Sequence, residues 1–294
     1  MSEEEFRNGP VVVGVDGSPS ATEAVCWAAA LAARRNLPLR IVHGFSYTHG
    51  FYGGDLPVST EVYAALEEDG RRLLSAAGER ARGLEPGLTV ETDMPTQPAI
   101  PLLVHESQYA SVVVLGTSGR GGFAGMLVGS TAVSVVAHAR CPVVVVRGRA
   151  DGGAVPVEGP VVVGVDGSGV SRDAVGVAFR EASLREVPLV AVHAGLDVEY
   201  DPAPAAAEPD EQRILSEGLA GRQEQYPDVH VERVVVADRP RHQLLEWSAR
   251  AQLVVVGSRG RGGFRGMLLG STSQALIHHA QCPVMVVRYR ERAD

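Results

Sequence analysis

The run Val11-Val12-Val13-Gly14-Val15-Asp16-Gly17-Ser18 returns residue for residue as Val161-Val162-Val163-Gly164-Val165-Asp166-Gly167-Ser168, 150 positions later. A second block behaves the same way. Gly116-Thr117-Ser118-Gly119, nine residues, then Gly129-Ser130-Thr131 is matched 141 positions on by Gly257-Ser258-Arg259-Gly260, nine residues, then Gly270-Ser271-Thr272. The closing His138-Ala139-Arg140-Cys141-Pro142-Val143 keeps the later offset as His279-Ala280-Gln281-Cys282-Pro283-Val284. The second copy is therefore nine residues shorter somewhere between His193 and Val231, a stretch read as loop plus helix, where deletions are tolerated. A chain that repeats itself at domain length folds as two like domains, not as a solenoid of short units. In this chain of 294 residues they are residues 1–150 and 151–294, joined through the Gly/Ala/Pro-rich stretch Gly148–Gly159. Each is long enough to bury a core of its own.

Within each copy the strands are legible as unbroken apolar runs. They are Val11–Val15, Leu39–Val42, Val112–Leu115 and Val143–Val146, then Val161–Val165, Leu189–Val192, Leu253–Val256 and Val284–Val287. Runs without polar alternation belong to strands buried on both faces, which means parallel strands under helices. Leu88–Thr92 and Val229–Val236 supply a fifth strand to each copy. The intervening stretches predict helices at Ser20–Arg35, Glu61–Arg82, Pro98–Gln108 and Ser130–Ala139, and at Ser171–Glu186, Asp210–Gln225, Pro240–Arg250 and Ser271–Ala280. Strand–helix alternation of this kind builds an open, doubly wound α/β sheet. Ligands of such sheets sit beyond the C-terminal strand ends, where the strand order reverses. Asp16 ends the first strand and Gly116 the fourth; if those strands are neighbours, both motifs border one crevice.

Composition removes several functions. All 27 basic residues are Arg, so the Lys of a Walker A loop and the lysine amine of Schiff-base or pyridoxal chemistry are missing. With a net charge of −8 the chain is a poor candidate for binding nucleic acid. No apolar run approaches the ~18 residues of a membrane span, and the acidic start MSEEEFRNGP has no signal-peptide pattern. The expected location is the cytoplasm. Cys26, Cys141 and Cys282 give no disulfide framework; the latter two, each before a Pro and a valine run, read as small core residues. No His, Cys, Asp and Glu set has metal-ligand spacing, no G-x-S-x-G nucleophile elbow occurs, and no carboxylate pair is spaced as an acid–base couple.

The repeated motifs suit phosphate. Gly116 and Gly119, with Gly257 and Gly260, let the backbone turn and approach a ligand closely. Gly121, Gly122 and Gly129 belong to the same cradle, as do Gly262, Gly263 and Gly270. Ser130-Thr131 and Ser271-Thr272 offer hydroxyls and N–H donors where a helix opens, and the positive helix end favours an anion by about 0.3–1 kcal/mol. Arg120 and Arg261, inside the loops, are the cations best placed to reach phosphate; a solvated side chain is the alternative. Asp16 and Asp166, each followed by Gly-Ser (Gly17-Ser18, Gly167-Ser168), either cap the next helix or accept from a ribose hydroxyl and hold Mg2+ beside phosphates. The two roles can coexist. Gly14 and Gly164 leave room for a sugar or base, and Gly44 and Ala194 are small enough to let backbone groups read a base edge. Their neighbours His43 and His193 read as structural, as do His138 and His279 in a last helical turn.

The spacing G-2x-G-9x-G-[S/T], the early Val-Asp-Gly-Ser strand end and the closing Cys-Pro-Val strand resemble the ATP-binding branch of the universal stress protein family, in a tandem form of the actinobacterial type. The resemblance covers nearly the whole chain. It implies five parallel strands per domain in the order 3-2-1-4-5, with helices on both faces, and one ATP per domain. Adenosine would lie near Gly14, Asp16 and Gly44, and phosphates on the glycine loop and Ser130-Thr131. Gly164, Asp166, Ala194, Gly257, Gly260, Ser271 and Thr272 would take the same parts in the second domain. The implied function is a nucleotide-dependent regulatory module of the stress response with a signalling partner, a binder and not an enzyme; slow ATPase or phosphotransferase action at the same sites is the alternative. Association through the fifth strands, Val143–Val146 and Val284–Val287, is implied as well, within one chain or in a homodimer.

Overall fold

The computed structural model of the chain describes residues 8–45, 60–119, 128–148, 153–195, 209–261 and 268–288. The chain divides into two compact units, Met1–Cys141 and Pro142–Asp294. In the first, β1 (Val11–Gly14), α1 (Pro19–Arg35), β2 (Leu39–Val42), α2 (Thr60–Leu84), β3 (Val90–Asp93), α3 (Ala99–Glu106), β4 (Val112–Gly116) and α4 (Ser130–His138) follow one another. The second opens with β5 (Val143–Val146), β6 (Val161–Gly164), α5 (Gly169–Arg185), β7 (Leu189–Gly195), α6 (Pro209–Leu219) and the short α7 (Arg222–Gln225). It closes with β8 (Val231–Ala237), α8 (Pro240–Ser248), β9 (Leu253–Gly257), α9 (Ser271–His279) and β10 (Val284–Val287).

Strands form where valines crowd, because branched side chains pack well on a pleated surface. Val11, Val12 and Val13 are all fully buried, so both faces of β1 are covered. Each such side chain contributes roughly 1.5–3 kcal/mol on leaving water. α1 places Ala21, Ala24, Val25, Ala28, Leu31 and Ala32 at helical spacing on its buried side. It is capped by Ser18, whose Oγ accepts the N–H of Ala21 at 3.1 Å, and it ends at Asn36 in the left-handed region, φ 52°. α5 copies the device with Ser168 and Glu186. α1 packs with α2 and α3 with α4, while α5 packs with α6 and α8 with α9.

Strand order is β3-β2-β1-β4 in the first unit and β5-β10-β9-β6-β7-β8 in the second. β1 lies parallel between β2 and β4, with Val13 opposite both Ile41 and Val114. β6 lies parallel between β7 and β9 in the same way. The second repeat, β8-β7-β6-β9-β10, thus has the expected order 3-2-1-4-5, and the first repeat shows it over its four leading strands. The fifth strand of the first repeat, β5, packs with the second unit and runs antiparallel to β10, Val144 opposite Met285. Chain order reverses at β1 and at β6, which puts the switch points between β1 and β4 and between β6 and β9.

Two elements differ from expectation. The helix predicted over Asp210–Gln225 is broken: α6 stops at Leu219, and Gly221, at φ 72°, turns the chain before α7. A left-handed residue cannot continue a right-handed helix. Strand β7 runs past Val192 to Gly195, because all seven of its residues pair with β8. Among the described residues no helix is long and apolar enough to cross a membrane.

Candidate functional site

Just beyond β1, Asp16 Oδ1 accepts the N–H of Ser18 at 3.0 Å and closes a turn in which Gly17 sits at φ 81°. Few residues other than glycine tolerate that conformation. Asp166, Gly167 and Ser168 repeat the turn at 2.9 Å and φ 75°. The side-chain caps of α1 and α5 are Ser18 and Ser168, so the capping alternative for the aspartates is not realised. Their carboxylates instead face the glycine loops. A Cβ on Gly119 would clash with Asp16 Oδ2, and one on Gly260 with Asp166 Oδ2. In the second unit Asp166 Oδ2 also accepts the N–H of Arg261 at 3.1 Å. The two motifs of each repeat border one crevice.

The other wall of each crevice is a helix start. α4 opens at Ser130 after Gly129, and α9 at Ser271 after Gly270, and neither has a side-chain cap. The first N–H groups of a helix have no partner within it; among the described residues no side chain caps them here, and the positive end of the helix stands behind them. The N–H of Gly129 donates to the Thr117 carbonyl at 2.6 Å, and that of Gly270 to the Ser258 carbonyl at 2.8 Å. These bonds clasp each helix start to the end of its strand. A Cβ on Gly116 would come within 2.6 Å of the Ser20 backbone, so glycine there lets β4 close on α1.

Gly14 and Gly164 have a packing role. The space a Cβ would take is filled by Leu103 and Leu115 at Gly14, and by Leu244 and Val256 at Gly164. Their bareness lets α3 and α8 pack onto the sheet. Gly44 abuts Ala99 at the start of α3, and Ala194 is buried. His43 Nδ1 meets the Val15 carbonyl at 2.7 Å and His193 Nδ1 the Val165 carbonyl at 2.6 Å, the structural role expected of both. His193 Nε2 also meets Glu211 of α6. His138 Nδ1 meets the Ser134 carbonyl, at 2.8 Å, inside α4.

The guanidinium of Arg261 lies over Gly167, on the Asp166 side of its crevice. Arg120, Gly121, Gly122, Gly262 and Gly263 lie outside the described residues. A hollow of about 170 Å3 opens beside the end of β2, lined by His43, Gly44, Phe45, Leu66, Asp69, Gly70 and Leu73. Among the described residues no group of three or more His, Cys, Asp or Glu could hold a metal by itself. Sequence reasoning missed Ser20, which with Ser18 donates to the Ser118 carbonyl, and Ser171, whose Oγ accepts the Asp166 N–H at 3.1 Å. The available signal was that position 20 is Ser where its repeat mate, position 170, is Val.

The class these features define is a tandem, doubly wound α/β protein with one glycine-loop crevice per repeat. The sequence model of the universal stress protein family matches residues 8–147 and again 159–288, and the chain belongs to that family. A universal stress protein of Mycobacterium tuberculosis is 45% identical over 297 residues, covering 98% of this chain and 99% of its own. One of Mycolicibacterium smegmatis is 41% identical over 287 residues, covering 95% of this chain and 97% of its own. In fold the chain is similar to the crystal structure of a universal stress protein from Archaeoglobus fulgidus, with a TM-score of 0.71 at 18% identity, covering 97% of this chain and 98% of that one.

Proposed function

We propose that each repeat binds one molecule of ATP and that the chain is a nucleotide-dependent regulatory module of the stress response. The observation that carries this is the pairing, at both switch points, of an uncapped helix start with an acidic turn. Open N–H groups at the starts of α4 and α9 suit phosphate oxygens, and the hydroxyls of Ser130, Thr131, Ser271 and Thr272 add donors. Asp16 and Asp166 suit ribose hydroxyls, or a Mg2+ ion carried in on the phosphates, since that ion is held by one or two carboxylates with phosphate and water. Gly44 and Ala194, at the ends of their strands, are the positions for reading the base. Nucleotide then favours the conformer or assembly that holds it better, and a partner senses that shift. Slow ATP hydrolysis or phosphotransfer is the second reading, favoured by the Asp16 carboxylate standing against the glycine loop.

Mass spectrometry of nucleotide released on denaturing the purified chain tests the first reading. One adenine nucleotide per repeat is expected, and ATP at 100 times its Kd should stabilise each site by about 2.7 kcal/mol. Finding none, together with no ATP-induced rise in Tm, would rule the reading out. Turnover with Mg2+ at about 1 s−1 or faster, the lower edge for typical enzymes, would favour the second.

A further inference from the structure

The two crevices are tied by different contacts: in the second, Ser273 Oγ donates to the Gly257 carbonyl at 2.7 Å and Asp166 Oδ2 accepts the Arg261 N–H at 3.1 Å, and the contact that sets the first apart lies at Ser118. In the first unit the Ser118 carbonyl accepts from Ser18 Oγ at 3.1 Å and from Ser20 Oγ, and the Ser118 N–H reaches Ser20 Oγ at 3.4 Å. The two hydroxyl oxygens are 3.2 Å apart. Ser20 stands in the first turn of α1, a helix capped by Ser18 and packed against β1 and β4. These hydroxyls therefore fasten the start of the glycine loop, at both the N–H and the carbonyl of Ser118, to a rigid element. In the second unit Val170 takes the place of Ser20 and Arg259 that of Ser118. Valine can neither donate nor accept; its Cγ1 packs toward Gly257 instead. Among the described residues no side chain hydrogen-bonds the backbone of Arg259.

We infer that Ser20 is a positioning residue that fixes the Ser118 end of the first phosphate loop, so that the first site holds nucleotide more tightly and releases it more slowly than the second. A loop ordered before its ligand arrives loses less freedom on binding. The inference rests on the reading of both crevices as nucleotide sites. It divides their labour: the first keeps its nucleotide, and the second fills and empties as nucleotide levels change.

Calorimetry of the nucleotide-stripped full chain with ATP and Mg2+, joined to stopped-flow release of a fluorescent ATP analogue, tests it. Two classes of site are expected, apart by about five- to tenfold, the size of one or two hydrogen bonds. Ser20→Ala should weaken the tight class by that factor, speed its release and leave the other class as it was. Ser20→Thr should restore it, and Val170 shows that a branched side chain fits at this position. Equal affinities in the wild type, or Ser20→Ala sparing the tight class or weakening both classes alike, would overturn the inference and leave the nucleotide reading standing. No binding at all in the wild type would overturn that reading and the inference with it.

Discussion

A glycine can matter for what must stand in place of its side chain. At Gly119 and Gly260 the missing Cβ makes room for an aspartate oxygen that it would clash with, Oδ2 of Asp16 in one repeat and of Asp166 in the other. Valine at either position has to displace the carboxylate or the loop. Gly119→Val or Gly260→Val alone should each remove one of two bound nucleotides by calorimetry, with the far-ultraviolet circular dichroism intact. Full stoichiometry in either variant would place the ligand elsewhere. Gly14 teaches the opposite lesson. Its position in a valine strand was plain from the sequence, but which neighbours required it to be bare was not, because Leu103 comes from a helix far along the chain.

Between β8 and α8, Asp238 gathers three donors: Gln243 Nε2 at 2.8 Å, His242 Nδ1 at 2.7 Å and the Arg239 N–H at 2.6 Å. The bonds from Gln243 and His242, in that order, hold its carboxyl down at about 2. Asp238, helped by Glu246, pushes the His242 imidazole above its ordinary value. A lowered carboxyl contributes stability above the ordinary value of 3.8 and loses it as pH falls toward 2. A raised imidazole contributes below 6.5 and loses it as pH rises through the folded value. The corner is thus best held between those limits. An NMR titration of His242 should show its midpoint fall toward the usual imidazole range in Asp238→Asn; an unmoved midpoint would contradict the pairing. At this scale the sequence was most readable, since valine runs and helical spacing are local signals. What escaped was set from a distance. The last residues of β7 are strand because β8 lies beside them, and Ser20 meets Ser118 across 98 positions. The break at Gly221 escaped for another reason: a glycine in a polar helix looks alike whether or not the helix goes on, and Gly218 sits within α6.

Taken whole, the molecule offers three thiols in two environments. Cys26 is half-buried on α1, with Arg80 Nε donating to its Sγ at 3.0 Å, whereas Cys141 and Cys282 are buried, one in each unit. Burial pushes the Cys282 thiol up to about 12. The thiolate is the form that reacts. In the native chain a disulfide reagent should therefore label Cys26 alone, and the other two only as their units unfold in denaturant. Fast labelling of more than one thiol without denaturant would contradict the packing. Because Cys141 and Cys282 report on different units, the order in which they appear shows whether the repeats melt together.

The antiparallel partnership of β5 with β10 has a cost that shows when the chain is cut. Val284, Met285 and Val286 are fully buried in the intact protein, and β5 is part of what hides them. Cleavage in the joint between the repeats, followed by loss of the leading fragment, would strip a greasy ribbon whose peptide groups lack half their partners, the kind of surface that recruits strands from strangers. The donated strand works as a built-in guard against such clumping, and the second repeat travels safely because the first lends it that strand.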